Sequence, residues 1–149
     1  MLSQACERVA VVAKPDVVLP PLECERWDEP AEPRHPLTGI VHALERAGGA
    51  VLVCAADMPF VTVAACRALI DADGDVAVAE AAGRLHPVLA VYSPAVLDRL
   101  RAAPTGVALQ QLLVTLAPAR VPLPAAVVRG VNTPAELAEA ERELRTSAA

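Results

Sequence analysis

The stretch Val51-Leu52-Val53-Cys54-Ala55-Ala56-Asp57-Met58-Pro59 decides the fold. An apolar run stops at a carboxylate and a proline. A short, uninterrupted apolar run of this kind reads as a strand buried on both faces, here from Ala50 to Ala56. Working outward, Arg8 to Ala13 reads as a second buried strand, stopped by Pro15. Asp75 to Ala79, Pro87 to Tyr92 and Val127 to Val131 read as three more. The intervals carry helical periodicity. Leu37, Ile40, Val41 and Leu44 share one face of a helix from Leu37 to Ala47, and Gly48-Gly49 is its stop. Thr62 is the N-cap of a helix reaching to about Asp71. Pro94 to Arg101 and Val107 to Leu116 read as helical. Thr133-Pro134-Ala135-Glu136 opens the last helix, with Thr as cap, Pro at the first helical position and Glu closing a capping box.

Apolar strands alternating with helices predict an α/β fold: a mostly parallel sheet with helices on both faces. The segment Pro20 to Pro36 breaks the pattern. It holds five prolines and many charges, so it is expected to be a surface loop without regular structure. No internal repeat is visible, and residues 1–149 are expected to form one domain, long enough to bury a core.

Composition excludes several classes. The net charge is −5 and no basic stripe occurs, so a nucleic-acid polymer is not expected as partner. Trp27, Phe60 and Tyr92 are the three aromatic residues, too few for a single-strand stacking platform. No run approaches the roughly 20 apolar residues of a membrane helix, and Met1 to Arg8 lacks the form of a secretory signal. A cytoplasmic location is expected. Cys6, Cys24, Cys54 and Cys66 are scattered without a Cys-x-x-Cys pair, which argues against zinc and for packing roles.

Ligands of open parallel sheets bind beyond the carboxyl ends of the strands, which gives the polar residues there meaning. Asp57 delivers a carboxylate to that edge, either as a hard ligand for Mg²⁺ carrying a phosphate or as a turn former before Pro59. Asn132, in Gly130-Val131-Asn132-Thr133, either completes a metal shell or leads into the Thr133 cap. Asp28, with Glu29, either accepts hydrogen bonds from a base or sugar or belongs to a solvated acidic loop. Gly39 lets a ligand approach the backbone or reflects helix–sheet packing. Lys14, the sole lysine, either attracts a phosphate or is a surface charge. His86 reads as a strand-edge residue rather than a base.

Taken in order, these blocks resemble molybdenum cofactor guanylyltransferases, the MobA-like nucleotidyltransferases. The matching blocks are Val11-Val12-Ala13-Lys14-Pro15, Asp28, Pro36-Leu37-Thr38-Gly39-Ile40, Val51 to Pro59, His86 to Tyr92 and Asn132-Thr133-Pro134-Ala135-Glu136-Leu137. The resemblance covers nearly all of the chain. It implies a Rossmann-like nucleotidyltransferase fold and transfer of GMP from Mg-GTP to the molybdopterin cofactor, with release of pyrophosphate. It further implies that Asp57 and Asn132 hold Mg²⁺ and carry catalysis. Asp28, Pro36, Gly39 and Lys14 then lie along the nucleotide.

The chain departs from that family in two ways. The opening strand, the Leu-Ala-Gly-Gly loop, the Arg-Met-Gly segment and the lysine expected after it have no counterpart here. Lys14 stands where many relatives have asparagine. The resemblance therefore implies an incomplete domain over 1–149, with little activity, a gap in the middle of its sheet and self-association through the exposed sheet. CTP in place of GTP, another acceptor, and a remnant that binds nucleotide or pterin without turnover stay open.

Overall fold

The computed structural model describes residues 2–104 and 106–147. After a short 3₁₀ turn at Leu2–Gln4 come β1 (Ala10–Ala13), β2 (Glu25–Asp28), α1 (Pro36–Ala47), β3 (Val51–Cys54) and α2 (Val63–Ile70). They are followed by β4 (Val76–Ala81), β5 (Arg84–Tyr92), α3 (Leu97–Arg101), α4 (Leu109–Thr115), β6 (Ala119–Pro122) and α5 (Pro134–Ser147).

The strands form two sheets, β1–β2 and β3–β5–β4–β6. Helices cover both faces of the larger sheet, as expected, and the alternation along β4 shows why. Val76 and Val78 join a cluster with Ile40 and Leu44 of α1, Leu100 of α3 and Leu113 of α4. Ala77 and Ala79 point the other way, to Cys66 and Leu69 of α2 and to Leu89 and Val121. Period-two geometry sends neighbouring side chains to opposite faces. The Tyr92 hydroxyl, buried in the first cluster, donates to the carbonyl of Pro87 at 2.7 Å, which satisfies the one polar group the ring carries inward.

Three expectations are corrected. The sheet is less parallel than its sequence suggested. β1–β2 and β4–β6 are parallel, but β5 runs against both β3 and β4. The cause is local: Ala82 and Gly83 both take positive φ, 49° and 72°, and join Ala81 to its partner Arg84. A two-residue turn with left-handed backbone at both positions makes a hairpin and leaves no room for a crossover helix. Second, the proline-rich segment contains β2, paired in register with β1 from Ala10↔Glu25 to Ala13↔Asp28. Trp27 holds it: 5% exposed, with Arg8 and Arg46 stacked on its ring at 4.9 and 5.3 Å and its Nε1 donating to Glu25 at 2.8 Å. Prolines are compatible with a strand at a sheet edge. Third, Val127 to Val131 forms no strand: a turn runs to Val128, irregular backbone follows, and the last strand is β6. Val127 and Val128 pack on the α2-side cluster, so their apolar character reflects burial rather than a ladder.

β1 and β3 both pack under α1, yet no ladder joins them. Each presents one strand edge without a backbone partner among the described residues.

Candidate active site

The topology brings the candidate residues into two groups. β1 and β2 run side by side, and α1 starts beyond their carboxyl ends. Gly39, in its first turn, lies against Val12 and Glu29. α1 then carries the chain back to β3, and Asp57 follows the end of that strand.

Asp57 and Asn132 meet around Gly130. A Cβ placed on Gly130 would lie 3.5 Å from Asn132 Nδ2 and 3.6 Å from Asp57 Oδ2. The backbone adds a tie, because Val131 N–H donates to the Asp57 carbonyl at 2.8 Å. Both residues are exposed. The loop 129–132 reaches Asp57 because α5 is tightly capped. Thr133 Oγ1 accepts from the Glu136 N–H at 3.2 Å, and Glu136 Oε2 accepts from the N–H groups of Asn132 and Thr133 at 2.8 and 3.0 Å. These donors, the Asn132 amide foremost, hold the Glu136 carboxyl below its ordinary value.

This pair fits Mg²⁺ of a particular kind. No group of three or more acidic, histidine or cysteine residues able to hold a metal occurs among the described residues. The Asp57 carboxylate makes no hydrogen bond or ion pair among them. The Asp57 carboxylate offers one oxygen ligand, and the Asn132 amide, which turns Nδ2 toward Gly130, would offer a second once flipped; Mg²⁺ characteristically takes one or two oxygens from protein and fills its shell with water and substrate phosphate. Behind them, Cys54 closes β3; burial, with Cys66 and Asp57 adding to it, pushes its thiol up to about 11. That is the behaviour of a packed thiol, not of a ligand or nucleophile.

The second cluster is built on Lys14. Its side chain is buried, and Nζ donates to the carbonyls of Pro30 and Pro33 at 2.7 and 2.9 Å with Glu29 Oε1 at 3.5 Å. Two of the three N–H donors of the ammonium are thus taken by backbone carbonyls, and the charge faces the Glu29 carboxylate. Glu29 Oε2 is buried without a hydrogen-bond partner and would sit 3.1 Å from a Cβ on Gly39. Asp28, by contrast, is turned to the surface and pairs with Arg26 Nε at 2.7 Å. Pro36 is exposed at the first position of α1, where His35 Nδ1 caps by accepting from the Leu37 N–H at 3.2 Å. His86 lies within β5 opposite Ala79, and burial together with Arg84 lowers its pKa.

The structure thus brings Asp57 and Asn132 together at Gly130, joins Lys14 with Gly39 through Glu29, and turns the Asp28 carboxylate to the surface, where its partner Arg26 also donates to the Lys14 carbonyl at 3.0 Å. Sequence reasoning missed the depth of Glu29 and the contact of Arg129 with Phe60, whose guanidinium carbon lies 4.0 Å from the ring centroid. Nothing in the local pattern announces either.

The chain belongs to the MobA-like NTP transferase domain family, whose model matches residues 1–121. Among solved structures it is similar to molybdopterin-guanine dinucleotide biosynthesis protein A from Archaeoglobus fulgidus, at 24% identity and a TM-score of 0.64, over 84% of this chain and 70% of that one. It is also similar to a protein from Aquifex aeolicus VF5, at 21% identity and a TM-score of 0.65, over 74% of this chain and 63% of that one. At these identities the two structures speak for the fold. No curated protein matches the chain in sequence. Among the described residues no helix is long and apolar enough to cross a membrane.

Proposed function

We propose that residues 1–149 form one domain of a cytoplasmic nucleotidyltransferase of molybdenum cofactor biosynthesis, which moves GMP from GTP to the molybdopterin cofactor. The observation that carries this reading is the meeting of Asp57 Oδ2 and the Asn132 amide around Gly130. In the reaction, an oxygen of the acceptor's terminal phosphate bonds to the α-phosphorus of GTP. The bond from that phosphorus to the bridging oxygen breaks, and pyrophosphate leaves. Two phosphates of like charge must approach, so catalysis is mostly positioning and charge neutralisation.

Asp57 and Asn132 would hold Mg²⁺, which when bound offsets the negative charge of the phosphates. The protein's own part is to orient. Val131 and Glu136 fix the two loops by backbone bonds. The first turn of α1, Pro36 to Gly39, puts the positive end of the helix at the carboxyl ends of β1 and β2, where anions are favoured. The name of the similar Archaeoglobus fulgidus protein, a molybdopterin-guanine dinucleotide biosynthesis protein, supports the choice of guanine nucleotide and pterin acceptor.

Calorimetric titration with Mg-GTP and Mg-CTP tests the reading. Mg-GTP is expected to bind the more tightly, and Asp57→Asn to weaken it by at least about tenfold, or about 1.4 kcal/mol. Equal binding by the Asp57→Asn variant would refute the metal role; preference for CTP would move the protein to a related transferase.

One observation favours a second reading, binding without turnover. Lys14 is the only lysine, and its buried ammonium is engaged by two backbone carbonyls and faces Glu29, which leaves no free lysine for the triphosphate. Tight Mg-GTP binding with no pyrophosphate release would select it. The unladdered edges of β1 and β3 also support self-association, since free apolar strand edges recruit partners. Sedimentation at several concentrations reads this directly.

A further inference from the structure

Asp57 and Asn132 sit on two different loops, so something outside the sheet must fix their spacing. A closed circuit of contacts does this. The loop after Asp57 carries Phe60, and the loop before Asn132 carries Arg129, which stacks on the Phe60 ring at 4.0 Å. Through Nη2 the same guanidinium donates to Glu143 of α5 at 2.6 Å. α5 in turn reaches back through Glu136 to the Asn132 N–H at 2.8 Å. Val131 N–H on the Asp57 carbonyl closes the ring.

The circuit matters because α5 has little else to hold it. Ala140 is its buried residue among those described, while Leu137 and Leu144 are 50% and 42% exposed. An exposed ion pair alone is worth ~0–1 kcal/mol. Arginine combines it with a stacked ring, because its planar guanidinium can lie flat on an aromatic face while its edge donates to a carboxylate. A lysine at this position would keep the charge and lose the simultaneous geometry.

We propose that Arg129 is a positioning residue: by clamping Phe60 to α5 it sets the separation of Asp57 and Asn132, and with it their grip on a nucleotide-bound divalent cation. This rests on the reading of Asp57 and Asn132 as the metal-holding pair.

The test uses Arg129→Met, Phe60→Leu and Arg129→Lys in the full chain. Arg101→Met is the control, removing a comparable surface arginine from Glu45 and Asp98. Two quantities are read: hydrogen exchange at the Val131 amide without ligand, and the Kd for Mg-GTP. Arg129→Met and Phe60→Leu are each expected to speed Val131 exchange and to raise Kd by about tenfold. The double variant should be no worse than either single one, Arg129→Lys should recover part of both effects, and Arg101→Met should move neither. Unchanged Val131 exchange and Kd in Arg129→Met and Phe60→Leu would overturn the proposal. So would an equal effect from Arg101→Met, which would mean general loosening. If Arg129→Met abolishes folding, Phe60→Leu and Arg129→Lys still decide the matter. If Asp57→Asn leaves Mg-GTP binding intact, the metal reading fails, and the positioning role falls with it even where Val131 exchange responds. If Asp57→Asn weakens binding and the Arg129 and Phe60 variants do not, only the positioning role is lost.

Discussion

Val131 donates its backbone N–H to the backbone carbonyl of Asp57 at 2.8 Å. This bond draws Gly130 into the corner between the two candidate metal ligands, where its missing side chain leaves a space. Gly130→Ala would fill that space at ordinary contact distances, 3.5 and 3.6 Å. The variant is expected to melt within about 0.5 kcal/mol of the parent and to lose at least about tenfold in Mg-GTP affinity, or about 1.4 kcal/mol. Thermal melts and calorimetry check the two halves separately.

Gly39 behaves differently, because a Cβ there meets Glu29 Oε2 at 3.1 Å. Alanine gains about 1 kcal/mol over glycine inside a helix, but Glu29 is held by Lys14 and must give way. Gly39→Ala is expected to be destabilising in the parent and stabilising, by about 1 kcal/mol, once Glu29→Ala has cleared the space. Urea unfolding of the four proteins in this cycle measures the change of sign.

Lys14→Met strands the carbonyls of Pro30 and Pro33 and leaves the buried Glu29 carboxylate without its cation. Removing one partner of a buried pair costs about 3 kcal/mol or more. The expected drop in unfolding midpoint should shrink when Glu29→Gln is added, because the orphaned charge is then gone.

The Glu136 carboxyl sits below its ordinary pKa, first because the Asn132 N–H donates to it. A depressed carboxyl lends stability that is present above its unfolded pKa, about 4.3, and is lost as the pH falls through the folded value. The order at Asn132 should therefore be full at neutral pH and decline on acidification below about 4.3. Glu136→Gln should flatten that part of the profile, which amide shifts of Asn132 and Thr133 would report.

At the β4–β5 hairpin, Ala82 holds φ of 49°, a left-handed conformation that costs a residue with a Cβ roughly 1–2 kcal/mol. Ala82→Gly is expected to stabilise the chain by about 1 kcal/mol net of glycine's entropy, seen as a higher melting temperature.

How much of this was legible in the sequence differs by physical cause. α1 and α2 were readable because periodicity and local caps act within a few residues: Thr62 does accept from the Ala65 N–H at 3.2 Å, and Gly48 does take the left-handed stop at φ 67°. β2 was not readable, because its stability comes from Trp27 meeting β1 and two distant arginines. The reversal of β5 was written in Ala82-Gly83, but alanine is a poor advertisement for positive φ. Val127 to Val131 misled because a half-buried irregular segment and a half-buried strand are equally apolar. In the site, Asp57 was marked by its place after an apolar strand. Asn132 was marked by the cap beside it, although the strand expected to carry it is absent. Glu29 was not separable from Asp28: adjacent acids look alike until the pleat sends one to solvent and the other inward.

The missing ladder between β1 and β3 has a consequence for how the molecule comes apart. With no shared backbone bonds there, the β1–β2 pair and the β3–β5–β4–β6 sheet are two cooperative units coupled chiefly by side-chain packing, including that under α1. Amides of β1 and β2 will open together in a subglobal event at lower free energy than those of β4 and β5. The Lys14 cluster will therefore be released while Asp57 and the core of the large sheet still stand.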